Sequence, residues 1–186
     1  MTPPRGRTLW LLRHAKTAAD PPAGGDDFDR VLTSRGRRDA EALGRLFALF
    51  GSGGAPGGEP LPQVALVSPA ARTMATADLV LAGVSPSPRR VAPANLYGGE
   101  PEDVLRHLRS LDDKVRSALV VGHNPTAHAL ALGLLAKKDP DRETFVRRGF
   151  PTCALGIYRF DVARWTDIDE REAVLVDLLI PPFEEG

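Results

Sequence analysis

Three short apolar runs constrain this chain more than any other feature: Leu9–Leu12, Val64–Val67 and Leu119–Val121. Each is an unbroken run of strand formers, the pattern of a strand buried on both faces. Between them lie stretches with helical spacing. In Ser34–Phe50, residues Ala40, Leu43, Leu46, Phe47 and Phe50 recur at intervals of three and four, with Arg37, Arg38, Glu41 and Arg45 elsewhere on the wheel. Pro69–Leu81, Glu102–Leu111 and Pro125–Ala136 also read as helices.

Strand and helix therefore alternate through most of the chain. That predicts an α/β fold: a three-layer α/β/α sandwich with a largely parallel central sheet. The strands are expected over Thr8–Leu12, Gln63–Val67 and Ser117–Val121, with a short one near Val91. Cys153–Phe160 and Ala173–Leu179 read as late strands that pair antiparallel. Gly51–Pro62 is rich in glycine and proline and reads as a flexible connection, and Lys137–Glu143 ("KKDPDRE") as a charged loop. The tail "PPFEEG" reads as loose. The 186 residues suit one domain over 1–186, with an ordered core from about 7 to 180.

Twenty-four Lys and Arg balance 24 Asp and Glu, so no basic excess marks a nucleic-acid partner. No stretch approaches the roughly 18 apolar residues of a membrane span. The apolar run near the N-terminus is too short for a signal-peptide core and is interrupted by Arg13. With a single cysteine, Cys153, no intramolecular disulfide can form. A cytoplasmic protein without cofactor or metal is expected. Cys153 lies in the apolar run "CALGIY", which suits a buried structural thiol.

In parallel sheets ligands bind at the carboxyl ends of the strands. Three strand ends are chemically alike here. One runs into Arg13-His14, one into Ser68-Pro69 and then Arg72, and one into Gly122-His123-Asn124-Pro125. Ser68 and Asn124 are good helix caps, each followed by a proline suited to a first helical position. Helix N-termini favour anions, and Arg72 in a first turn opposes the dipole unless an anion is near. Arg13, Arg72, His14 and His123 are thus expected to converge on one dianionic group.

These segments carry a resemblance. "LLRHAKT" resembles the RHG-type signature of the histidine phosphatase superfamily, with Ala15 where many members have glycine. "VSPAARTMATADLV" is similar to that family's arginine-bearing segment and "LVVGHNP" to the one with the second histidine. "RHAK" and "DFDRVLT" are most similar to the SixA-like branch, associated with phosphohistidine phosphatases.

The resemblance implies that His14 is a nucleophile passing through a phosphohistidine. Arg13, Arg72 and His123 then hold the phosphoryl oxygens, with His123 cationic when an anion is bound. Lys16 and Asn124 are further substrate-binding candidates, Lys16 with a surface lysine as the competing reading. Arg30 and Arg35 are rim candidates, with structural salt bridges as the alternative. His107 and His128 are left outside the site. The general acid stays open. Glu100 and Glu102, with Asp103, fall where many members carry a glutamate, and the acidic run Asp20, Asp26, Asp27 and Asp29 is another source. The expected activity is metal-independent hydrolysis of phosphohistidine in a phosphorylated protein. The alternatives are a phosphatase for small phosphomonoesters and an inactive phosphoryl-binding module.

Overall fold

Successive side chains of β1 (Arg7–Arg13) point to opposite faces of the sheet, and both faces are covered. Leu9 and Leu11 enter one core, while Trp10 and Leu12 enter the other. The computed structural model describes residues 6–183. Six strands form one sheet in the order β3-β2-β4-β1-β5-β6. β2 (Val64–Val67), β3 (Arg89–Val91) and β4 (Ser117–Gly122) run parallel with β1. β5 (Leu155–Phe160) pairs antiparallel with β1, and β6 (Ala173–Leu179) pairs antiparallel with β5, as expected of these two late strands.

α1 (Ser34–Leu49) and α2 (Ala71–Leu81) cover one face through Ala40, Leu43, Phe47, Ala77 and Val80. α3 (Pro101–Arg109) and α4 (Thr126–Gly133) cover the other through Val104, Leu105, Leu108, Leu130 and Ala131. The result is the expected three-layer sandwich. Trp10 anchors the first core: its ring packs 5.1 Å from that of Phe47, and its Nε1 donates to the Pro60 carbonyl at 3.2 Å. Truncating a buried aromatic of this kind costs about 3–5 kcal/mol. Among the described residues no helix is long and apolar enough to cross a membrane.

Three local expectations need correction. The charged stretch Lys137–Glu143 is not all loop, because α5 (Asp141–Arg148) begins inside it. Asp141 and Glu143 in its first turn and Arg147 and Arg148 in its last suit the helix dipole, and fully buried Phe145 anchors it. One apolar anchor in so polar a segment leaves no periodicity to read. The Gly51–Pro62 connection contains helical turns at Phe50–Gly54 and Pro56–Gly58. Glu59, also within it, is buried and accepts from Thr8 Oγ1 and from Arg159 Nη1 at 3.0 Å. Cys153 lies outside β5, with φ of 62°, and its amide donates to the His14 carbonyl at 3.1 Å. Burial pushes its thiol up to about 12. The last three residues of the tail lie outside the described residues.

Candidate active site

The register of the parallel strands brings the three chemical segments to one level. Arg13 pairs with Gly122, and both Leu12 and Val67 pair with Val121. The ladder continues past the strand ends: the His14 amide donates to Gly122 O at 3.1 Å, and the Ser68 amide to Val121 O at 3.0 Å. His14, Ser68 and His123 therefore leave the sheet side by side. The turn after His14 is braced twice. The Ala15 amide donates to Thr76 Oγ1 on α2 at 3.0 Å, and the Thr33 amide to the Lys16 carbonyl at 2.9 Å. Gly36 on α1 allows this approach, since a Cβ there would meet Lys16 O at 2.1 Å.

A cavity of about 630 Å³ opens at these ends, lined among others by Arg13, His14, Lys16, Asp27, Arg30, Arg72, His123 and Asn124. The His14 and His123 ring centroids are 5.3 Å apart. His14 Nδ1 lies 2.8 Å from the Ala15 carbonyl oxygen. A carbonyl only accepts, so Nδ1 carries the proton and Nε2 the lone pair. Burial pushes the pKa of His14 down to about 4, opposed by that hydrogen bond and aided by Arg13, Arg72 and Arg30. The ring is therefore neutral at neutral pH.

Arg72 is almost wholly buried, and each of its three guanidinium nitrogens makes a hydrogen bond. Its Nε donates to His123 Nδ1 at 3.2 Å, Nη1 to the Asp27 carbonyl at 2.5 Å, and Nη2 to Asp27 Oδ2 at 2.9 Å. A guanidinium only donates, so His123 is protonated on Nε2, which donates to Ser68 Oγ at 2.7 Å. Burial, then Arg72 and His14, push its pKa down to about 3. His123 is thus neutral in this arrangement. Arg13 donates through Nη1 to Phe150 O at 2.8 Å, and burial lowers its pKa.

Ser68 and Asn124 do not cap helices. α2 and α4 begin later, at Ala71 and Thr126, and neither carries a side-chain cap. Ser68 is instead committed to His123, and Asn124 donates through Nδ2 to Phe150 O at 3.0 Å. Phe150 O thereby ties Arg13 to Asn124. Sequence reasoning missed this Phe150–Thr152 wall, whose only local signal is the breaker pair Gly149 and Pro151.

The acidic candidates separate cleanly. Glu100 stands at the cap position of α3, where its amide donates to Asp103 Oδ2 at 2.9 Å. Glu102 pairs with Arg109 at 2.9 Å, and neither glutamate lines the cavity. Asp26 and Asp29 cap the turn Asp27–Asp29. Asp27 is the carboxylate that lines the cavity among the described residues. It is bound by Arg30 Nη1 at 2.9 Å, by Tyr97 Oη at 3.0 Å and by Arg72. Arg30 first, then Tyr97 and Arg72, hold its pKa down to about 2 against partial desolvation. Tyr97 carried no signal in the sequence.

Arg30 both forms a salt bridge and lines the cavity, whereas Arg35 pairs with Asp39 at 3.7 Å outside it. Lys16 is exposed on the lining. His107 bonds Asn95, and His128 the Phe145 carbonyl, both away from the cavity. Among the described residues no group of three His, Cys, Asp or Glu is placed to hold a metal ion.

The family model of the histidine phosphatase superfamily (branch 1) matches residues 9–92. An uncharacterized protein of Mycobacterium tuberculosis is 34% identical over 172 residues, spanning 91% of this chain and 99% of that protein. Among solved structures, a candidate phosphohistidine phosphatase SixA from Agrobacterium tumefaciens is 28% identical with a TM-score of 0.74, covering 94% of this chain and 98% of that one. Another from Nakamurella multipartitia is 27% identical with a TM-score of 0.71, covering 96% and 98%.

Proposed function

The chain belongs to the histidine phosphatase superfamily, and from that premise we propose that it is a metal-independent cytoplasmic phosphatase that hydrolyses phosphohistidine in proteins, with His14 as nucleophile. One observation carries the reading: the Nδ1–H of His14 is committed to the Ala15 carbonyl, in a ring held neutral by burial. Nε2 is then the nitrogen with a free electron pair.

Nε2 attacks phosphorus in line, the P–Nε2 bond forms, and the bond to the leaving group breaks with its electrons. Water then attacks phosphorus, the P–Nε2 electrons return to the ring, and inorganic phosphate leaves. Arg13 and Arg72 hold the non-bridging oxygens through forked donors. His123 offers its Nε2–H to the same group by turning from Ser68. Lys16 and Asn124 line the approach.

The substrate class rests on the leaving group. Asp27 is ionised across the neutral range and Glu100 and Glu102 lie elsewhere, so among the described residues the site as arranged has no carboxylic acid ready to protonate an alkoxide. A phosphohistidine ring can take its proton on the nitrogen remote from phosphorus and depart neutral. The likeness to two candidate phosphohistidine phosphatases supports the same choice. The test compares kcat/KM on a phosphohistidine protein with that on a panel of phosphorylated metabolites, with His14→Ala as control. A metabolite turned over faster than the phosphoprotein replaces this reading with a small-phosphoester phosphatase. Phosphate binding without any turnover leaves a phosphoryl-binding module.

A further inference from the structure

Tyr97 is a partly exposed aromatic that follows the turn Ala94–Leu96 and belongs to no helix or strand. The turn is pinned: His107 Nε2 and Asn95 Oδ1 are 2.8 Å apart, and Gly99 sits so close that a Cβ would meet Asn95 O at 2.1 Å. From this fixed base the tyrosine reaches three parts of the site. Its ring lies edge-on to His123 at 5.8 Å and to Phe28 at 5.1 Å, and the Arg72 guanidinium carbon stands 5.8 Å from its centroid. Its hydroxyl donates to Asp27 Oδ2, the oxygen that also accepts from Arg72 Nη2.

The consequence concerns Arg72. Each terminal nitrogen of its guanidinium gives one of its two N–H groups to Asp27, one to the carbonyl and one to the carboxylate. These are the forked donors that a phosphoryl group would use. Asp27 therefore stands where an anionic ligand would stand. Arg30 holds its other carboxylate oxygen, from the same segment. Tyr97 holds it from a separate one.

We propose that Tyr97 is a positioning residue that latches Asp27 onto Arg72, so that the chain's own carboxylate competes with the phosphoryl group for that arginine. The inference rests on the reading of the cavity as a phosphate clamp. To occupy this end-on fork a ligand must supply two acceptor oxygens and enough charge to displace both Asp27 contacts. A dianionic phosphoryl group meets that demand, and a singly charged carboxylate or sulfate ester meets it poorly. The latch would thus set a threshold that rejects weak anions, at the cost of affinity for the substrate itself.

The test is calorimetric titration of inorganic phosphate into the full chain as wild type, Tyr97→Phe, Asp27→Asn and the double variant, with thermal melts to verify folding. Tyr97→Phe keeps the ring on Arg72 and His123 and removes only the hydroxyl. It should tighten phosphate binding by about two- to tenfold, the range of one hydrogen bond. Asp27→Asn should tighten it further, and adding Tyr97→Phe to Asp27→Asn should change nothing more. In turnover of an aryl phosphate, Tyr97→Phe should lower KM by more than it alters kcat. Weaker or unchanged binding in Tyr97→Phe, or a gain that persists in the Asp27→Asn background, overturns the latch and leaves the clamp intact. Absence of phosphate binding by all four proteins overturns the clamp reading, and the latch with it.

Discussion

His14 Nδ1 and the Ala15 carbonyl oxygen lie 2.8 Å apart, a contact between neighbouring residues that decides which ring nitrogen can act. Rapid quenching with a labelled substrate should trap an acid-labile, alkali-stable phosphoenzyme, as a P–N bond at His14 requires. His14→Ala should abolish it. An acid-stable adduct, or label on Cys153, would overturn the assignment.

Both site histidines are held below the ordinary value of 6.5, His14 at about 4 and His123 at about 3. The folded state therefore favours their neutral forms. Their contribution to stability is present above 6.5 and is lost as pH falls through about 4 and then about 3, because the unfolded chain binds those protons first. Ring nitrogen NMR at pH 6 should show both neutral, His14 protonated on Nδ1 and His123 on Nε2. A His14 signal titrating near 6.5 would contradict this, as would a kcat/KM profile with an enzyme limb near that value once the substrate's own ionisation is removed.

Arg72 is buried and spends every guanidinium nitrogen on the site, so truncating it removes positioning as well as charge. Arg72→Ala should lower kcat/KM by about a hundred- to a thousandfold, the loss of one preorganised donor. Vanadate, which adopts the five-coordinate geometry of the transferring group, should inhibit in competition with substrate, and chelators should have no effect. Activity lost in a chelator and restored by a divalent ion would refute the metal-free mechanism.

The leaving group provides the sharpest measurement. A plot of log kcat/KM against leaving-group pKa for phosphate monoesters should fall steeply, with phosphohistidine far above the alkyl esters. Glu100→Gln and Glu102→Gln should leave the line where it is, since both glutamates lie outside the cavity. A flat line that steepens in Asp27→Asn would show that Asp27 leaves Arg72 and serves as the acid, and the small-phosphoester reading would then gain.

Much of this architecture was legible in the chain itself. Unbroken apolar runs can be satisfied only by cover on both faces, and helices at three-and-four spacing supply that cover, so β1, β2, β4 and the layers around them follow from local pattern. His14, Arg13, Arg72 and His123 were legible for the same reason: each directly follows a strand, or opens the helix after one, and strand ends share an edge. Residues whose roles depend on partners far along the chain were not. Asp27 was one acid among four until the fold set it 2.9 Å from Arg72, 45 residues away. Tyr97 had no signal at all, because its hydroxyl finds Asp27 across 70 residues. Ser68 and Asn124 looked like caps because capping is a local preference, and the nearby His123 and Phe150 carbonyl outbid it. Hydrophobic periodicity and strand ends are properties of neighbouring residues, so the sequence alone determined the sandwich and the strand edge at which Arg13, His14, Arg72 and His123 line one cavity. Hydrogen-bond partners and protonation states depend on burial and on distant groups, so only the tertiary structure decided which carboxylate enters the cavity and which histidine nitrogen is free.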